Sequence, residues 1–592
     1  MTTANEARLF ALRDQPGFAE GWSEVIAVLN AMAADGPLIR AGALLQRVSP
    51  EEILAKADAE PVDVTITGHS TLVELRGPLI AEFARHNLVA RVGLTDYDGY
   101  LRELTQPPRA DLLLCVLDPS MLTDRLPTPW LIEDLESLLR TVADEWAQLA
   151  AGYEGTLVLN TVPLLPTLPR QLVDHRSRAR LGMAWREFNS ALLGLALLHP
   201  HVVTVDLEPL LAAGGPVNDP RVAGYAKAYL GPELLARYAR EVGHLARAVR
   251  GRAKKVLVLD LDGTLWDGVL AEDGRDGISA AGTLRGGAFE RLQHVVKQLA
   301  AQGVLLAICS RNDKAEVLAT LDGHPDMVLR ADDFVAVEAG WGPKPPALTQ
   351  LADTIGLDVT SFVFVDDNPT ERGAVRALLP GVAVIAVDEE PTLHIERLLA
   401  DGWFDSLELT EADLARTALY QQAARRRASA ISDEDYLREL NVRVDTSPVR
   451  THEIARVAQL TQRTNQFNLT AERLSPAGVT ERVDDPDYLV LAVRSADRFG
   501  DDGLVGAIFA RRRTDGLHIE NMVLSCRVFG RGVEQAAISE LITTATAMGV
   551  PAVHGYYRRT ARNHRFEDFY PSLGFENWHQ HKDGILVSTL TC

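Results

Sequence analysis

Cysteine is scarce in this chain, and the cysteines that are present form no recognisable pattern. The 592 residues include four of them, at positions 115, 309, 526 and 592. Their spacing fits neither a zinc site nor a disulfide framework. Any functional cysteine is therefore expected to act as a free thiol.

Long hydrophobic runs are also missing. No uninterrupted apolar stretch approaches the roughly 20 residues that a membrane-spanning helix needs. The first residues, MTTANEARLFALRDQPG, lack the charged-then-apolar pattern of an export signal. The sequence therefore predicts a cytoplasmic protein without a membrane partner.

Positive charge is in deficit, with 60 Lys and Arg against 81 Asp and Glu and a formal net charge of −21. Nucleic-acid binding needs a basic surface, so we expect no nucleic-acid partner. Basic clusters occur at 425–427, 511–513 and 556–565. They leave open a local patch for an acidic ligand, although solvated faces are the commoner explanation.

Short β-rich runs alternate with helical stretches through the N-terminal part of the chain. The runs VDVTITG, DLLLCVLD, GTLVLNT and HVVTVDL begin at positions 62, 111, 155 and 201. Such alternation is typical of a doubly wound α/β domain. A basic, polar stretch near 245–255 predicts a boundary, which gives domains at 1–250, 251–400 and 401–592. We expect the last of these to begin with a helical connector.

The stretch KKVLVLDLDGTLWDGVL, residues 254–270, ends an aliphatic run with two aspartates two positions apart. Residues at i and i+2 share one face of a strand and lie about 6.6 Å apart. We therefore expect Asp260 beneath a bound phosphorus atom, as the attacking group, and Asp262 beside the leaving oxygen, as the proton shuttle. A carboxylate and a phosphoryl group repel each other, so a cation must lie between them, and Mg²⁺ suits the oxygen ligands.

Ser310 in LLAICSRND and Asp366 with Asp367 in FVFVDDNP follow at predicted strand ends, and Lys344 lies between them in GWGPKPP. Ligands bind at the carboxyl ends of strands in open α/β sheets. We expect Ser310 and Lys344 to hold phosphoryl oxygens and Asp366 to complete the metal site. For Asp367 a simple turn role stays open.

These four segments resemble the four motifs of the haloacid dehalogenase (HAD) phosphatase superfamily, in the family's order. The resemblance implies that Asp260 is the nucleophile, that Asp262 is the general acid and base, and that Asp260, Asp262 (by its backbone carbonyl) and Asp366 hold Mg²⁺. It also implies a HAD-like Rossmannoid core. The motif spacing accommodates a hairpin flap, LWDGVLAEDGRDGIS, but no large cap, so we expect an open site suited to a substrate on another macromolecule.

Residues 516–550 predict a strand joined to a helix by a loop with R-x-x-G-x-G spacing. Backbone amides at a helix start can bind a pyrophosphate. Further on, RNHRFEDFYPSLGFE places Asn563 seven residues before Tyr570. Together these features resemble the acyl-CoA site of GCN5-related (GNAT) acetyltransferases.

The GNAT resemblance implies a C-terminal α+β domain with contacts to a pantetheine thioester. Asn563 would bind the pantetheine arm and Tyr570 would lie near the departing thiol, although a core aromatic is an equal alternative for Tyr570. The residues implied for the cofactor loop are Arg527, Gly530, Arg531 and Gly532.

Two cysteines are candidates for a transient thioester. Cys526 lies beside the glycine loop, where a neighbouring arginine and a helix start would lower the pKa of its thiol. Cys309 precedes Ser310 and is the competitor. An inert buried cysteine is the commoner case for both.

The combination of these domains with RTNQFNLT at 463–470, SCRVFGRGVE at 525–534 and DDNPTER at 366–372 resembles the FkbH-like family of polyketide biosynthesis. The resemblance implies a bifunctional glyceryl transferase and phosphatase. Its substrate would be D-1,3-bisphosphoglycerate, and its partner an acyl carrier protein whose phosphopantetheine thiol receives the glyceryl group.

The N-terminal domain resembles an SGNH-hydrolase-like fold, with Ser70 after the first strand. His69 replaces the aspartate usual before that serine, and no Asp-x-x-His follows near the domain's end. We therefore expect a non-catalytic docking domain, and Asn160 is either a site residue or a turn residue.

Two alternatives to the bifunctional enzyme remain. One is a magnesium-dependent HAD phosphatase acting on a small phosphomonoester, with accessory binding domains. The other is a regulatory or carrier-docking protein without turnover, which the intact set of Asp260, Asp262, Lys344 and Asp366 disfavours.

Overall fold

The structure, a computed structural model, divides the chain into two compact units, Met1–Arg247 and Ala248–Cys592. It describes residues 4–13, 17–32, 35–414, 416–417, 419–420, 442–464, 466–497, 500–525, 528, 531–560, 563–580 and 584–591. No helix within these residues has the length and hydropathy needed to cross a membrane.

The first unit is built on a five-stranded parallel sheet. Its strands are β1 Glu60–Gly68, β2 Leu88–Leu94, β3 Leu112–Val116, β4 Leu157–Asn160 and β5 Val202–Val205. The helices are α1 Ala4–Arg13, α2 Trp22–Asn30, α3 Asp35–Leu45, α4 Pro50–Lys56, α5 Val73–Arg85, α6 Tyr100–Thr105, α7 Ser120–Thr123, α8 Ile132–Ala151, α9 His175–Leu198, α10 Leu207–Ala212, α11 Pro220–Ala226 and α12 Pro232–Val249.

The strand order of this sheet is β2-β1-β3-β4-β5, with every pair parallel. This is a doubly wound order, which confirms the interpretation of the alternating pattern. The four predicted strands are present as β1 and β3 to β5. The second strand, LVARVGL, was not predicted, because only its first half is buried and it carries an arginine at its centre.

The second unit begins with another five-stranded parallel sheet. Its strands are β6 Val256–Leu259, β7 Leu305–Ser310, β8 Phe334–Ala339, β9 Phe362–Asp366 and β10 Ala383–Ala386. The helices of this part are α13 Leu270–Asp273, α14 Gly286–Ala301, α15 Lys314–Gly323, α16 Lys344–Ile355, α17 Pro369–Leu378, α18 His394–Leu399 and α19 Glu411–Leu414.

The order of this sheet is β10-β9-β6-β7-β8. Strand β6, VLVL, lies at its centre and is buried on both faces, which explains its uninterrupted aliphatic sequence. Aliphatic residues from β6, β7 and β9 pack into two hydrophobic clusters, one on each side of the sheet. Both faces of the sheet are thus covered, so a ligand can reach the strands only at an edge of the sheet.

The rest of the second unit carries a mixed seven-stranded sheet in the order β11-β12-β13-β14-β15-β17-β16. Its strands are β11 Arg443–Pro448, β12 Tyr488–Asp497, β13 Gly500–Arg513, β14 Gly516–Leu524, β15 Ala552–Arg558, β16 Glu576–Gln580 and β17 Ile585–Thr591. Its helices are α20 Ile454–Arg463, α21 Pro476–Asp484, α22 Val533–Ala547 and α23 Phe569–Ser572.

The predicted helical connector from 401 to 429 is only partly described. Residues 401–410 are turns and extended chain, and α19 follows at 411–414. Residues 421–441 lie outside the described part of the chain. The first ten residues of the predicted connector are therefore not helical.

Candidate functional site

The carboxyl edge of the central sheet brings the predicted phosphate-site residues together. Asp260 directly follows β6, Ser310 ends β7 and Asp366 ends β9. Strands β6 and β9 are neighbours, although β7 and β8 separate them in sequence. From β6 the sheet is extended on one side by β7 and β8 and on the other side by β9 and β10. Where the strand order reverses in this way, a crevice opens at the carboxyl ends of the strands. The Asp260 amide donates to Val365 O at 2.9 Å, which fixes the two aspartates side by side.

The turn after Asp262 depends on a glycine. Gly263 has a φ of +65°, and a Cβ there would lie 2.6 Å from the Asp367 carboxylate. A side chain would be both strained and in collision. The glycine of the D-x-D-G sequence therefore allows the chain to turn directly next to the Asp367 carboxylate.

Lys344 is the central cation of the site. It begins α16, is 2% exposed, and its Nζ lies 2.7 Å from Asp260 Oδ1 and 3.2 Å from Asp366 Oδ2. The same ammonium donates to the Cys309 carbonyl at 2.6 Å. Lys344 therefore joins the ends of three strands.

Burial and repulsion perturb the acidic groups. Burial raises the pKa of Asp260 to about 6; the charge of Lys344 opposes this shift and that of Asp366 adds to it. Burial also raises the pKa of Asp366 and of Asp367. Burial alone would lower the pKa of Lys344, but the carboxylates outweigh it and the pKa is raised. One ammonium thus faces more negative charge than it neutralises.

Three carboxylates are arranged to hold a divalent cation. One oxygen each from Asp260, Asp366 and Asp367 lie within 4.8 Å of one another. Asp366 Oδ2 is buried and lies 3.2 Å from the Lys344 ammonium, which it shares with Asp260. A hard, oxygen-ligated ion such as Mg²⁺ fits this donor set and the surplus negative charge. Asp367, for which a turn role was left open, joins Asp260 and Asp366 in this cluster.

The side chain of Asp262 is engaged by other groups. Its Oδ1 accepts from Trp266 Nε1 at 2.8 Å and from the Leu270 amide at 2.9 Å, and its Oδ2 accepts from Asn312 Nδ2 at 2.8 Å. These bonds hold the carboxylate in one orientation at the edge of the crevice. That placement suits a proton-transfer group, and it leaves only the backbone carbonyl for the metal role predicted for Asp262.

Sequence reasoning missed the residues that support this site. Asn312 is fully buried and donates both to Asp262 and to Ser310 Oγ at 3.0 Å. Glu371 pairs with Arg311 at 2.7 Å and accepts from the Lys344 amide at 3.4 Å. The sequence could have suggested them, because Asn312 lies two residues after Ser310 and Glu371 lies five residues after Asp366.

The predicted flap is not a two-stranded hairpin. Asp267 and Ser279 exchange two backbone hydrogen bonds that close a loop containing the single-turn helix α13. The turn Asp273–Gly277 and its glycines replace the extended pairing that a hairpin needs. Between β6 and α18, no separate cap domain is inserted in the described chain.

The structure contradicts a catalytic role for Cys309. Its side chain alternates to the face opposite Ser310 and packs in the hydrophobic cluster with Phe362 and Phe364. It is 1% exposed, and burial raises the pKa of its thiol to about 12. A buried, protonated thiol is a poor nucleophile.

The second predicted site lies where β14 and β15 diverge. These parallel strands pair only from Leu517–Ile519 to Val553–Gly555, and beyond that point the segment Phe467–Leu469 lies between them. Leu524 N donates to Phe467 O, Leu469 N donates to Met522 O, and Arg558 N donates to Leu469 O. The gap between the strands is thus filled by the chain itself.

The side chains of Asn563 and Tyr570 are buried and contact other parts of the protein. The Asn563 amide donates to Asn468 O at 3.0 Å and to Arg558 O at 2.9 Å, and its oxygen accepts from the Thr560 amide at 2.7 Å. Tyr570 is 1% exposed and packs against Gly555. Of the two alternatives for Tyr570, the geometry favours the core aromatic, and the amide of Asn563 is already bonded within the protein.

The predicted cofactor loop is described only at its end. Gly532 is the N-cap of α22 with a φ of +74°, as a loop-to-helix glycine should be. Arg531 pairs with the buried carboxylates of Asp497 and Asp502, at 2.8 Å each, so its guanidinium is committed to the protein. Cys526, Arg527 and Gly530 lie outside the described residues.

In the first unit, the candidates Ser70 and Asn160 lie at the carboxyl edge of its sheet. The Asn160 side chain accepts from the Leu117 amide and donates to its carbonyl, which ties the ends of β3 and β4 together. His69 Nδ1 lies 2.7 Å from Asp98 Oδ1. These contacts give Asn160 a structural role, and the docking role of this unit stays a prediction.

Comparison with protein-family models gave no match, and no curated protein matches the chain. Among solved structures, the N-terminal part of the protein BF1531 from Bacteroides fragilis, containing a phosphatase domain complexed with Mg, matches with a TM-score of 0.56. The match has 23% identity and covers 64% of this chain and 100% of that one.

The ribosomal-protein-S18-alanine N-acetyltransferase from Escherichia coli matches over 25% of this chain and 94% of that chain, with 18% identity and a TM-score of 0.20. The BF1531 likeness is one of fold. It extends over more of the chain than the central sheet alone, and it agrees with a multidomain α/β protein containing parallel-sheet domains.

Proposed function

We propose that the central sheet carries a magnesium-dependent phosphohydrolase site. The observation that carries this proposal is the cluster of Asp260, Asp366 and Asp367 around Lys344 at the switch point of a parallel sheet. The phosphatase domain in the BF1531 structure, complexed with Mg, supports it. When bound, Mg²⁺ would offset the repulsion between the carboxylates and an anionic phosphoryl group.

Each side chain has a defined task in this reaction. A carboxylate oxygen of Asp260 attacks the phosphorus, and the bond from phosphorus to the ester oxygen breaks. Asp262 gives that oxygen a proton, and then takes one from the water that hydrolyses the aspartyl phosphate. Lys344 and Ser310 stabilise the negative charge on the phosphoryl oxygens.

We further propose that the substrate is a phosphoglyceryl group from D-1,3-bisphosphoglycerate, in polyketide biosynthesis. The resemblance of RTNQFNLT, SCRVFGRGVE and DDNPTER to the FkbH-like family supports this. A cysteine thiolate would attack the acyl phosphate carbonyl and release phosphate, which leaves a phosphoglyceryl thioester on the enzyme. The Asp260 site would hydrolyse the remaining phosphomonoester. The glyceryl group would pass to the phosphopantetheine thiol of an acyl carrier protein, with release of the cysteine thiol. Because Cys309 is buried, Cys526 is the candidate for the thioester.

Specific contacts favour a second candidate, a phosphatase whose C-terminal part only binds. Arg531 is paired with Asp497 and Asp502, the Asn563 amide is fully engaged, and Phe467–Leu469 fills the gap between β14 and β15. A pantetheine arm would have to bind elsewhere or displace this segment.

Intact-mass spectrometry separates the two candidates. The protein is incubated with Mg²⁺, D-1,3-bisphosphoglycerate and a phosphopantetheinylated acyl carrier protein. A glyceryl increment on the carrier, lost in Cys526→Ala and retained in Cys309→Ala, is expected for the transferase. Free phosphate without any carrier increment would overturn the transferase and leave the phosphatase. Loss of phosphate release in Asp260→Asn tests the phosphatase itself.

A further inference from the structure

A group of polar side chains far from the carboxylate cluster has the composition of a transition-metal site. Asp515 lies in the turn between β13 and β14, His518 lies in β14 and His554 in β15. One potential ligand atom from each of the three lies within 4.8 Å of the others. Two imidazoles and one carboxylate are a donor set that zinc-type ions prefer over Mg²⁺.

The sheet itself places the two histidines side by side. His518 and His554 are directly opposite in the short parallel pairing of β14 and β15, and His554 is opposite Thr589 in the pairing of β15 and β17. The rings of the two histidines lie 4.4 Å apart between centroids. Their positions are therefore set by strand register and not by a flexible loop.

Both rings are oriented through their Nδ1 atoms. His518 Nδ1 lies 3.0 Å from the Tyr556 hydroxyl, and His554 Nδ1 lies 2.9 Å from Thr589 Oγ1. In this structure each Nε2 faces an Asp515 oxygen that can only accept, so Nε2 carries the ring proton and the hydroxyl donates to Nδ1. A bound metal would replace the proton on Nε2, and Nδ1 would then donate to the hydroxyl. Hydrogen bonds of this kind are the usual means by which proteins fix ligating histidines.

Both Nε2 atoms are directed toward Asp515. His518 Nε2 lies 2.9 Å from Asp515 Oδ1, and His554 Nε2 lies 3.4 Å from the Asp515 carbonyl. His518 is 4% exposed, whereas the Asp515 side chain is 65% exposed. In a tetrahedral site with bonds of about 2.0–2.1 Å the ligand atoms are about 3.3 Å apart. The 2.9 Å between His518 Nε2 and Asp515 Oδ1 is close to this spacing, and the Asp515 carboxylate would turn toward His554 Nε2 to share an ion with both rings.

The remaining charges nearby do not block the site. Arg513, the last residue of β13, is a neighbouring cation, and its guanidinium pairs with Glu520 at 2.6 Å. Three protein ligands and an exposed side leave a fourth position for water, as in open zinc sites.

We propose that Asp515, His518 and His554 bind a zinc-type divalent ion through one carboxylate oxygen and two Nε2 atoms. The ion joins the β13–β14 turn to β15 at the end of the β14–β15 pairing where β14 begins, away from the divergence of these strands. This site is independent of the carboxylate cluster at Asp260 and does not rest on the proposed phosphatase.

Cobalt spectroscopy of the full-length protein tests the proposal. Chelator-treated protein is titrated with Co²⁺ and its visible absorption is recorded, followed by displacement with Zn²⁺. We expect about one equivalent of Co²⁺ with the strong visible bands of a four-coordinate ion, bleached by Zn²⁺. Absence of these bands in the wild-type protein would overturn the proposal.

Variants assign the signal to the three residues. Asp515→Asn lies in an exposed turn and His554→Gln keeps a polar side chain, and each is expected to lose the bands. Asp501→Asn, an exposed carboxylate near the adjacent hairpin, and Asp366→Asn, in the carboxylate cluster, are expected to keep them. Bands that persist in both ligand variants, or that vanish in Asp366→Asn, would contradict the assignment.

Thr589→Val tests the orienting hydrogen bond. Loss of such a partner typically weakens metal affinity by about 10- to 100-fold. We expect the Co²⁺ titration of this variant to shift by that factor with its bands unchanged in position. An unshifted titration would show that His554 needs no such support and would contradict the proposed ring orientation.

Discussion

The carboxyl edge of the central sheet and the divergence of β14 and β15 both contain residues predicted to bind phosphate-bearing groups, yet they use their polar groups differently. At the central sheet, the carboxylates of Asp260, Asp366 and Asp367 outnumber the single buried ammonium of Lys344. At the divergence, Asn563 and Arg531 are satisfied by the protein. Three carboxylates around one ammonium, against two carboxylates around Arg531, make the central sheet the stronger candidate for a cation site.

Removing the attacking carboxylate has the largest expected effect. In Asp260→Asn, phosphate release from a small phosphomonoester should fall to background, because an amide oxygen is not an adequate nucleophile. Asp276→Asn, whose carboxylate is fully exposed in the loop after α13, is the matched control and should retain activity. Equal activity in the two variants would remove the basis for the proposed reaction.

Lys344→Met should affect both activity and folding. Loss of one charge-stabilising group costs about 10²–10³-fold in turnover. Leaving Asp260 and Asp366 without their partner should cost about 3–5 kcal/mol in the free energy of unfolding. Urea denaturation with and without Mg²⁺ measures the second effect. The loss should be smaller with Mg²⁺, and a loss that Mg²⁺ does not reduce would argue against a cation site here.

The pH dependence of stability should also distinguish the cluster. Because the pKa of Asp260 is about 6 in the folded protein and 3.8 for the ordinary group, the folded state holds its proton longer than the unfolded state. Its contribution therefore becomes destabilising as pH rises from about 4 to 6 and is constant above that.

Chemical denaturation of metal-free protein across this range, compared with Asp260→Asn, measures the difference. The stability of the wild-type protein should fall relative to the variant between these pH values, and Mg²⁺ should bind more tightly as pH rises through 6. If the stability of the wild-type protein instead rose relative to the variant with pH, the charge of Lys344 would outweigh burial and the pKa of Asp260 would be lowered in the folded protein.

The smallest effect is expected at the divergence of β14 and β15. Asn563→Ala removes a hydrogen bond to each of the carbonyls of Asn468 and Arg558, of which the Asn468 carbonyl still accepts from the Ala471 amide. We expect a cost of about 1–3 kcal/mol in the free energy of unfolding. Phosphate release should be unchanged, because the side chain is not part of the carboxylate cluster. If the variant instead kept its stability and lost only affinity for a carrier protein, Asn563 would bind the pantetheine arm as the family resemblance implies.

Local sequence was informative wherever a residue's role depends on its immediate neighbours. Asp260, Ser310 and Asp366 were predicted at strand ends because an aliphatic run marks each of those ends, and Lys344 was predicted as the positive charge of the GWGPKPP segment. The strands β8 and β10 and the supporting residues Asn312 and Glu371 were not predicted. Their roles depend on contacts between segments that are separate in sequence.

Burial decided the predictions that local sequence left open. The sequence LAICSRND offers both a thiol and a hydroxyl, and only the alternation of side chains across β7 shows that Cys309 enters the hydrophobic cluster while Ser310 faces Asn312. Likewise, the sequence does not show where the side chain of Asp367 lies. In the structure its carboxylate packs against Gly263 and belongs to the cluster with Asp260 and Asp366.

By itself, the sequence determined the parallel-sheet architecture and the order of the acidic and basic groups along the chain, because hydrophobic periodicity and strand ends are local properties. Only the tertiary structure decided which of these groups face one another without enough compensating charge. It also decided that Phe467–Leu469 lies between β14 and β15 and that His518 lies opposite His554. Both outcomes arise from the pairing of distant segments, which no local pattern specifies.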